Sequence, residues 1–140
     1  MIFLDTSVLV NASTSSDYRH RACLDVLSIA DRQGGGCAVH SLAELFTVLS
    51  GRPVPLRMPP LDVAKIVASY AKRFTTIGLT AREYVETIEH LASVGHSGGI
   101  IYDALLVACA RKSKASRIYT LNPRHFRLVA PDIAARIFEP

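Results

Sequence analysis

Short apolar segments alternate along this chain with longer segments in which apolar residues recur every three or four positions. Segments as short as these favour strands over helices. The strands predicted in this way are Ile2-Phe3-Leu4, Cys37-Ala38-Val39, Phe74 to Ile77, Arg117 to Thr120 and, as a fifth, residues 136 to 138. The chain therefore begins on a strand and returns to strand structure repeatedly.

Longer segments between these strands have the spacing or composition of helices. Asp17 to Arg32, Leu61 to Lys72 and Thr80 to Val94 carry apolar residues on one helical face. Asp103 to Ala110 is rich in Ala and Leu, which is typical of a buried helix. Gly34-Gly35-Gly36 is predicted to end the first of these helices, because glycine is a common helix stop.

A further helix is predicted from a capping pattern. Ser41-Leu42-Ala43-Glu44 has the S-x-x-E form of a capping box and opens the apolar stretch from Leu45 to Leu49. In such a box the glutamate binds the backbone at the start of the helix, so capping is one possible role for Glu44. The segment from Gly51 to Pro60 contains four prolines and is predicted not to be helical.

Alternation of strands and helices predicts an α/β fold with a central parallel sheet of about four or five strands flanked by helices. The 140 residues are 49% hydrophobic and 20% charged, with no repeat or linker, so we predict one domain over residues 1–140. Ligands of such folds bind beyond the carboxyl ends of the strands. Polar residues at that edge are therefore the first candidates for function.

Charge and cysteine content refine this picture. The net charge of +4, from 16 basic and 12 acidic residues, mildly favours a phosphate-bearing partner. Cys23, Cys37 and Cys109 show no metal-binding spacing and are interpreted as reduced thiols of a cytoplasmic protein. No apolar run reaches the roughly 18 residues of a membrane span, so no membrane partner is expected.

Three polar residues are predicted to meet at the functional edge of the sheet. Asp5 follows the first strand, Asn122 follows the fourth, and Glu44 lies in the first turn of the helix after the second strand. Asp103 begins the helix that precedes the fourth strand, so chain order alone does not force it to this edge. Clustered carboxylates repel one another unless they are protonated or neutralised by a cation.

Oxygen ligands without a histidine or cysteine partner favour Mg²⁺ or Mn²⁺ over zinc. An ion of this kind lowers the pKa of a bound water and makes it a nucleophile toward phosphate esters. The histidines share no ligand spacing, and most are interpreted as surface residues. Structural roles stay open as alternatives: Asp5 could accept backbone N–H groups in a turn, and Asp103 could cap its helix.

Four segments resemble, in order, the motifs of the PIN domain family. Leu4 to Val10 resembles its opening, Ser41 to Leu45 its second motif, Tyr102 to Ala108 its third, and Ile118 to Phe126 its fourth. Each motif alone is weak, whereas four in this order are fairly specific. Within this family, the chain resembles in its length the VapC-type toxins of bacterial and archaeal toxin–antitoxin pairs.

This resemblance implies an RNA-cleaving endoribonuclease that depends on Mg²⁺ or Mn²⁺, forms a homodimer and is inhibited by a VapB-type antitoxin. It implies that Asp5 and Asp103 bind the ion directly, and that Glu44 binds it directly or through water. The family often has a fourth acid near Thr120, where Asn122 stands in this chain. The amide can ligate without contributing charge, so we predict one firm metal position.

Neighbouring residues are assigned supporting roles. The hydroxyls of Thr6, Ser7 and Thr120 are predicted to orient a carboxylate or a water, with ordinary turn bonding as the alternative. Arg124 and Arg127 are predicted to hold RNA phosphates, with solvated surface charge as the alternative.

Two rival functions belong to other classes of protein. A phosphatase of the haloacid dehalogenase type also places an aspartate after its first strand, but it needs a second aspartate where this chain has Ser7. A catalytically inactive PIN-like module that binds nucleic acid or protein is kept open by Asn122. The phosphate-binding motifs of P-loop and dinucleotide-binding proteins are absent.

Overall fold

Two helices separate each pair of consecutive strands in a computed structural model that describes residues 1–140. The strands are β1 (Ile2–Leu4), β2 (Gly35–Ala38), β3 (Thr75–Ile77), β4 (Arg117–Tyr119) and β5 (Ile137–Phe138). The helices are α1 (Thr6–Ala12), α2 (His20–Gln33), α3 (Val39–Gly51), α4 (Pro60–Arg73), α5 (Ala81–Ser93), α6 (Ile100–Lys112) and α7 (Pro123–Val129), with a 3-10 helix at Pro131–Arg136. None of the helices combines the length and the low polarity needed to cross a bilayer.

The five strands form one parallel sheet in the order β3-β2-β1-β4-β5. The first strand is central, since Ile2 pairs with Gly35 of β2 on one side and with Arg117 of β4 on the other. The carboxyl ends of β1 and β4 therefore lie side by side. The predicted α/β architecture with a parallel sheet is confirmed.

Alternate residues of the central strand point into two separate cores, as the two-residue period of a strand requires. Ile2 and Leu4 pack in a buried cluster with residues of α1, α2, α3 and α4. Phe3 points to the opposite face and packs with residues of α6 and α7. The sheet is thus covered on both faces, and only its edges are open to a ligand.

The second strand begins at Gly35, earlier than the predicted start at Cys37. Only Gly34 ends the preceding helix, with a φ of +84° that favours glycine. Gly35 lies in the strand because a Cβ there would stand 2.6 Å from the Phe74 ring. Gly36 is similarly crowded. Close packing rather than a helix stop explains the second and third glycines of this run.

The predicted capping box is wrong. Helix α3 begins at Val39, so Ser41 lies inside its first turn and Glu44 lies in the second turn. The N-cap is Ala38, which has no side-chain oxygen to offer, and the Ser41 hydroxyl is buried without a partner. Capping is therefore not the role of Glu44.

Two other helix boundaries differ from the sequence-based expectation. Helix α6 begins at Ile100, so Asp103 lies within its first turn and Gly99 is the N-cap. Helix α1 follows the first strand directly, in a segment for which the sequence pattern predicted no helix. Almost all of α1 is buried, so it lacks the alternation of polar and apolar faces by which an amphipathic helix is recognised.

The three cysteines are unpaired and buried in the interior. Burial raises the pKa of the thiols of Cys23, Cys37 and Cys109 to about 11. These residues act as small apolar side chains, in agreement with the expectation of unbridged thiols.

Candidate functional site

A cavity of ≈ 630 Å³ opens at the carboxyl edge of the sheet and collects the predicted acidic residues. Asp5 reaches it from the end of β1, Glu44 from α3, Asp103 from α6 and Asn122 from the segment after β4. The placement of Asp103, which chain order did not force, arises because α6 starts beside the cavity. All four predicted polar residues therefore line one space.

Asp5 lies at the bottom of this arrangement and is 4% exposed. Its Oδ2 accepts hydrogen bonds from the hydroxyls of Ser7 at 2.5 Å and Thr120 at 2.7 Å. The Ser7 oxygen in turn accepts a bond from the backbone N–H of Leu121 at 2.9 Å. The Asp5 side chain makes no capping bond to α1, so its partners are these two hydroxyls rather than backbone N–H groups.

Glu44 and Asp103 each have a defined neighbour as well. The Thr6 hydroxyl donates to Oε2 of Glu44 at 2.5 Å, and Nε2 of His40 lies 3.6 Å from Oε1 of the same residue. Nδ1 of His125 lies 3.3 Å from Oδ2 of Asp103. His125 lies on the surface, as expected of most of the histidines, but it contacts an acid of the cavity; His40 is only partly exposed and lines the cavity itself.

The signal for one of these histidines was present in the sequence. His40 and Glu44 are four residues apart on one helix, and side chains with that spacing are neighbours on a helix surface. The contact between His125 and Asp103 joins α7 to α6 and depends on tertiary packing. No local pattern reveals it.

Asp5 and Asp103 stand in an environment that disfavours their negative charge. Burial raises the pKa of Asp5, hydrogen bonds from Ser7 and Thr120 oppose this, and the charges of Asp103 and Glu44 add to the rise. Burial likewise raises the pKa of Asp103, although His125 counteracts the effect. A bound cation would relieve this cost, because it stabilises the ionised form of every nearby acid.

The donor set fits a hard divalent cation. It consists of carboxylate oxygens with one amide oxygen at Asn122, and both hydrogen bonds to Asp5 use Oδ2, so neither engages Oδ1. No three acidic, histidine or cysteine side chains converge closely enough to form a closed cage for an ion. Water molecules are therefore expected to complete the coordination, as Mg²⁺ prefers in proteins.

The two arginines predicted to hold phosphates lie outside the cavity. Arg127 donates from Nη2 to the backbone oxygen of Ile137 at 3.0 Å, a contact that joins α7 to β5. Arg124 is exposed. The cavity wall also contains polar and aromatic residues that sequence reasoning did not assign to the site, among them Asn11, whose amide donates to the Ser7 backbone oxygen at 2.8 Å, and Tyr102.

Another cavity, of ≈ 650 Å³, lies between α5 and α6 and contains none of the predicted site residues. Two of its acids are already paired with bases. Glu83 accepts from Lys112 at 2.8 Å, and Asp132 forms a two-bond ion pair with Arg111. The cavity between α5 and α6 therefore has far less uncompensated negative charge than the cavity around Asp5. The cavity around Asp5 is the better candidate for a cation site.

Comparison with known proteins identifies the family of the chain. The family profile described as the PIN domain matches residues 2–130. Ribonuclease VapC27 of Mycobacterium tuberculosis is 32% identical over 113 residues, which cover 80% of this chain and 78% of that protein. Ribonuclease VapC40 of the same organism is 31% identical over 124 residues, which cover 89% of this chain and 88% of that protein.

Solved structures share the fold. Mycobacterium tuberculosis VapC20, described as a toxin that cleaves the sarcin–ricin loop, superimposes with a TM-score of 0.71 at 20% identity, covering 89% of this chain and 92% of its own. VapBC2 from Rickettsia felis, solved with a DNA fragment from the promoter of the pair, gives 0.69 at 19% identity, covering 99% and 98%. By the extent of the profile match and by the two ribonuclease relatives, this chain belongs to the PIN domain family.

Proposed function

We propose that this chain is a ribonuclease toxin of a VapBC-type toxin–antitoxin pair, an endoribonuclease that hydrolyses RNA phosphodiester bonds with Mg²⁺ or Mn²⁺. The observation that carries the proposal is the convergence of Asp5, Glu44 and Asp103 in one cavity lined by oxygen donors. The relatives named as VapC ribonucleases support the choice of RNA as substrate. The family match also removes the reason to consider a haloacid dehalogenase-type phosphatase.

In this proposal Asp5 and Asp103 hold the ion directly, Glu44 holds it directly or through water, and the Asn122 carbonyl is a weaker fourth ligand. When bound, such an ion neutralises phosphate charge and lowers the pKa of a water that attacks phosphorus. The hydroxyls of the chain keep the carboxylates in position. Ser7 and Thr120 fix Asp5, and Thr6 fixes Glu44.

The net charge of +4 supports the approach of a polyanion to a cavity that is itself acidic. Positive charge on the exterior attracts the RNA backbone, and the ion allows a phosphate to enter among carboxylates. Arg124 and Arg127 remain proposed phosphate contacts of the exterior surface. RNA in the cytoplasm is the proposed substrate.

A VapB-type antitoxin and a second copy of the chain are the proposed protein partners. The structure of a VapB–VapC pair among the similar folds supports the first. Exposed apolar residues on α4 and α5 support the second: Leu61, Val85 and Ile88 are 79%, 52% and 49% exposed.

The direct test of the proposed chemistry is cleavage of RNA with and without a chelator. We expect Mn²⁺ to support cleavage of structured RNAs, EDTA to stop it, and excess Mn²⁺ to restore it, because the carboxylates need a cation to accept a phosphate. Products are followed on denaturing gels. The absence of any chelator-sensitive product on all RNAs tested would favour an inactive PIN-like binding module.

The toxin role has a separate genetic test. We expect expression of this chain alone to arrest growth, and co-expression of a short neighbouring gene to relieve the arrest, because the proposed antitoxin inhibits the ribonuclease. Growth curves and colony counts measure both effects. Unimpaired growth at high expression of folded protein would contradict the toxin role. It would not bear on the proposed metal-dependent cleavage of RNA.

A further inference from the structure

One aromatic side chain at the rim of the carboxylate cavity is half exposed to solvent. Tyr102 lines this cavity and is 52% exposed, whereas Tyr70 and Tyr119 of the same chain are 7% and 9% exposed in the interior. Exposing a large aromatic ring to water forfeits the stabilisation that its burial provides. Such a ring beside a candidate active site is a natural contact for a ligand with a flat apolar face.

The ring of Tyr102 is supported from one side by a second planar group. The imidazole of His40 stacks on it with ring centroids 5.6 Å apart and an angle of 5° between the planes. His40 also lies 3.6 Å from the Glu44 carboxylate. The stacked pair of rings therefore lies beside the carboxylates and contacts them through His40.

We propose that Tyr102, backed by His40, forms a stacking platform for a nucleobase of single-stranded RNA next to the carboxylates. This inference rests on the proposed function, since it names how that site positions its substrate. Aromatic rings stack on every kind of base, so the platform holds a nucleotide without selecting strongly for sequence. With the base stacked on Tyr102, its phosphate is held near the acidic centre. Tyr102 is thus a positioning residue for the substrate.

The test separates stacking from catalysis by measuring binding without cleavage. Short single-stranded RNAs carry the fluorescent base 2-aminopurine at successive positions, and Ca²⁺, which carboxylate oxygens also bind, replaces Mn²⁺. We expect the wild-type protein to quench the probe at one position. Tyr102→Ala should bind about tenfold more weakly and lose that quenching, because stacking of one base contributes roughly this factor.

Two variants serve as controls. Tyr102→Phe retains the aromatic face and should bind within about twofold of wild type. Tyr18→Ala removes another exposed tyrosine, which is 88% exposed and lies outside the cavity, and should leave binding and quenching unchanged. Thermal unfolding of each variant verifies that the fold is intact.

The outcomes distinguish this inference from the proposed function. Equal binding and quenching by wild type and Tyr102→Ala, or no RNA binding by wild type, would overturn the platform. Quenching that depends on Tyr102, in a protein without chelator-sensitive cleavage, would support the platform and overturn the ribonuclease activity. Loss of binding in Tyr102→Phe as severe as in Tyr102→Ala would also overturn stacking, because the aromatic face is still present.

Discussion

Asp5→Asn is expected to lower Mn²⁺-dependent RNA cleavage by at least about 100-fold, since changes even to the supporting partners of metal ligands cost up to that factor. The substitution removes the charge at the deepest point of the cavity and retains the shape of the side chain. The amide oxygen can still accept the hydrogen bonds from Ser7 and Thr120. The fold should therefore survive while the affinity for the cation falls.

Stability provides a second readout for the same variant. Burial disfavours the charged form of Asp5, so a neutral asparagine removes an energetic cost that the metal-free protein carries at neutral pH. We expect a melting temperature in EDTA that equals or exceeds that of wild type. Lower activity together with unchanged or higher stability is typical of a residue placed for function.

The matched control is Asp25→Asn. Asp25 is an exposed aspartate on α2 that lies 3.4 Å from Arg21 and does not line the cavity. The variant should cleave RNA like wild type. If Asp5→Asn cleaves as well as this control after removal of contaminating nuclease, Asp5 is not a ligand of the ion and the proposed mechanism is wrong.

The largest loss of stability is expected from Phe3→Ala. Phe3 is fully buried in the central strand and packs against α6 and α7. Truncating a buried phenylalanine leaves a cavity and costs about 3–5 kcal/mol, against a total stability of about 5–15 kcal/mol for a typical domain. The free energy of unfolding, measured by urea denaturation, should fall by this amount with an unchanged slope.

Phe138→Ala is the control for position in the sheet. Phe138 lies on the edge strand β5 and is 40% exposed, so its removal creates less of a void. A clearly smaller loss of unfolding free energy is expected. Equal losses for the two variants would contradict a core centred on β1.

The sequence allowed the architecture and most of the site to be predicted, because both follow from chain order. Placing Asp5, Glu44 and Asn122 at one edge needs only the knowledge that parallel strands end on the same side. Asp103 was added through the resemblance to PIN domains. Its placement depends on how α5 and α6 pack, which no local pattern encodes.

Errors concentrated where a local pattern had two physical meanings. The S-x-x-E pattern at Ser41 matched a capping box, yet the helix had already started at Val39. The glycine run matched a helix stop, yet two of its members are required by the packing of the strand. The histidines near the carboxylates lacked ligand spacing, yet His40 and His125 each contact an acid.

The hydrogen bond from the Leu121 backbone to the Ser7 hydroxyl has a consequence for the synthesis of the protein. Asp5 is oriented by Ser7 and Thr120, so residues near the start of the chain depend on residues that the ribosome adds much later. A nascent chain whose β4 segment has not yet left the ribosome lacks both the strand that pairs with β1 and the hydroxyl of Thr120. The acidic centre therefore takes its final shape only after β4, Thr120 and Leu121 have been synthesised, and a chain terminated before β4 would lack that arrangement.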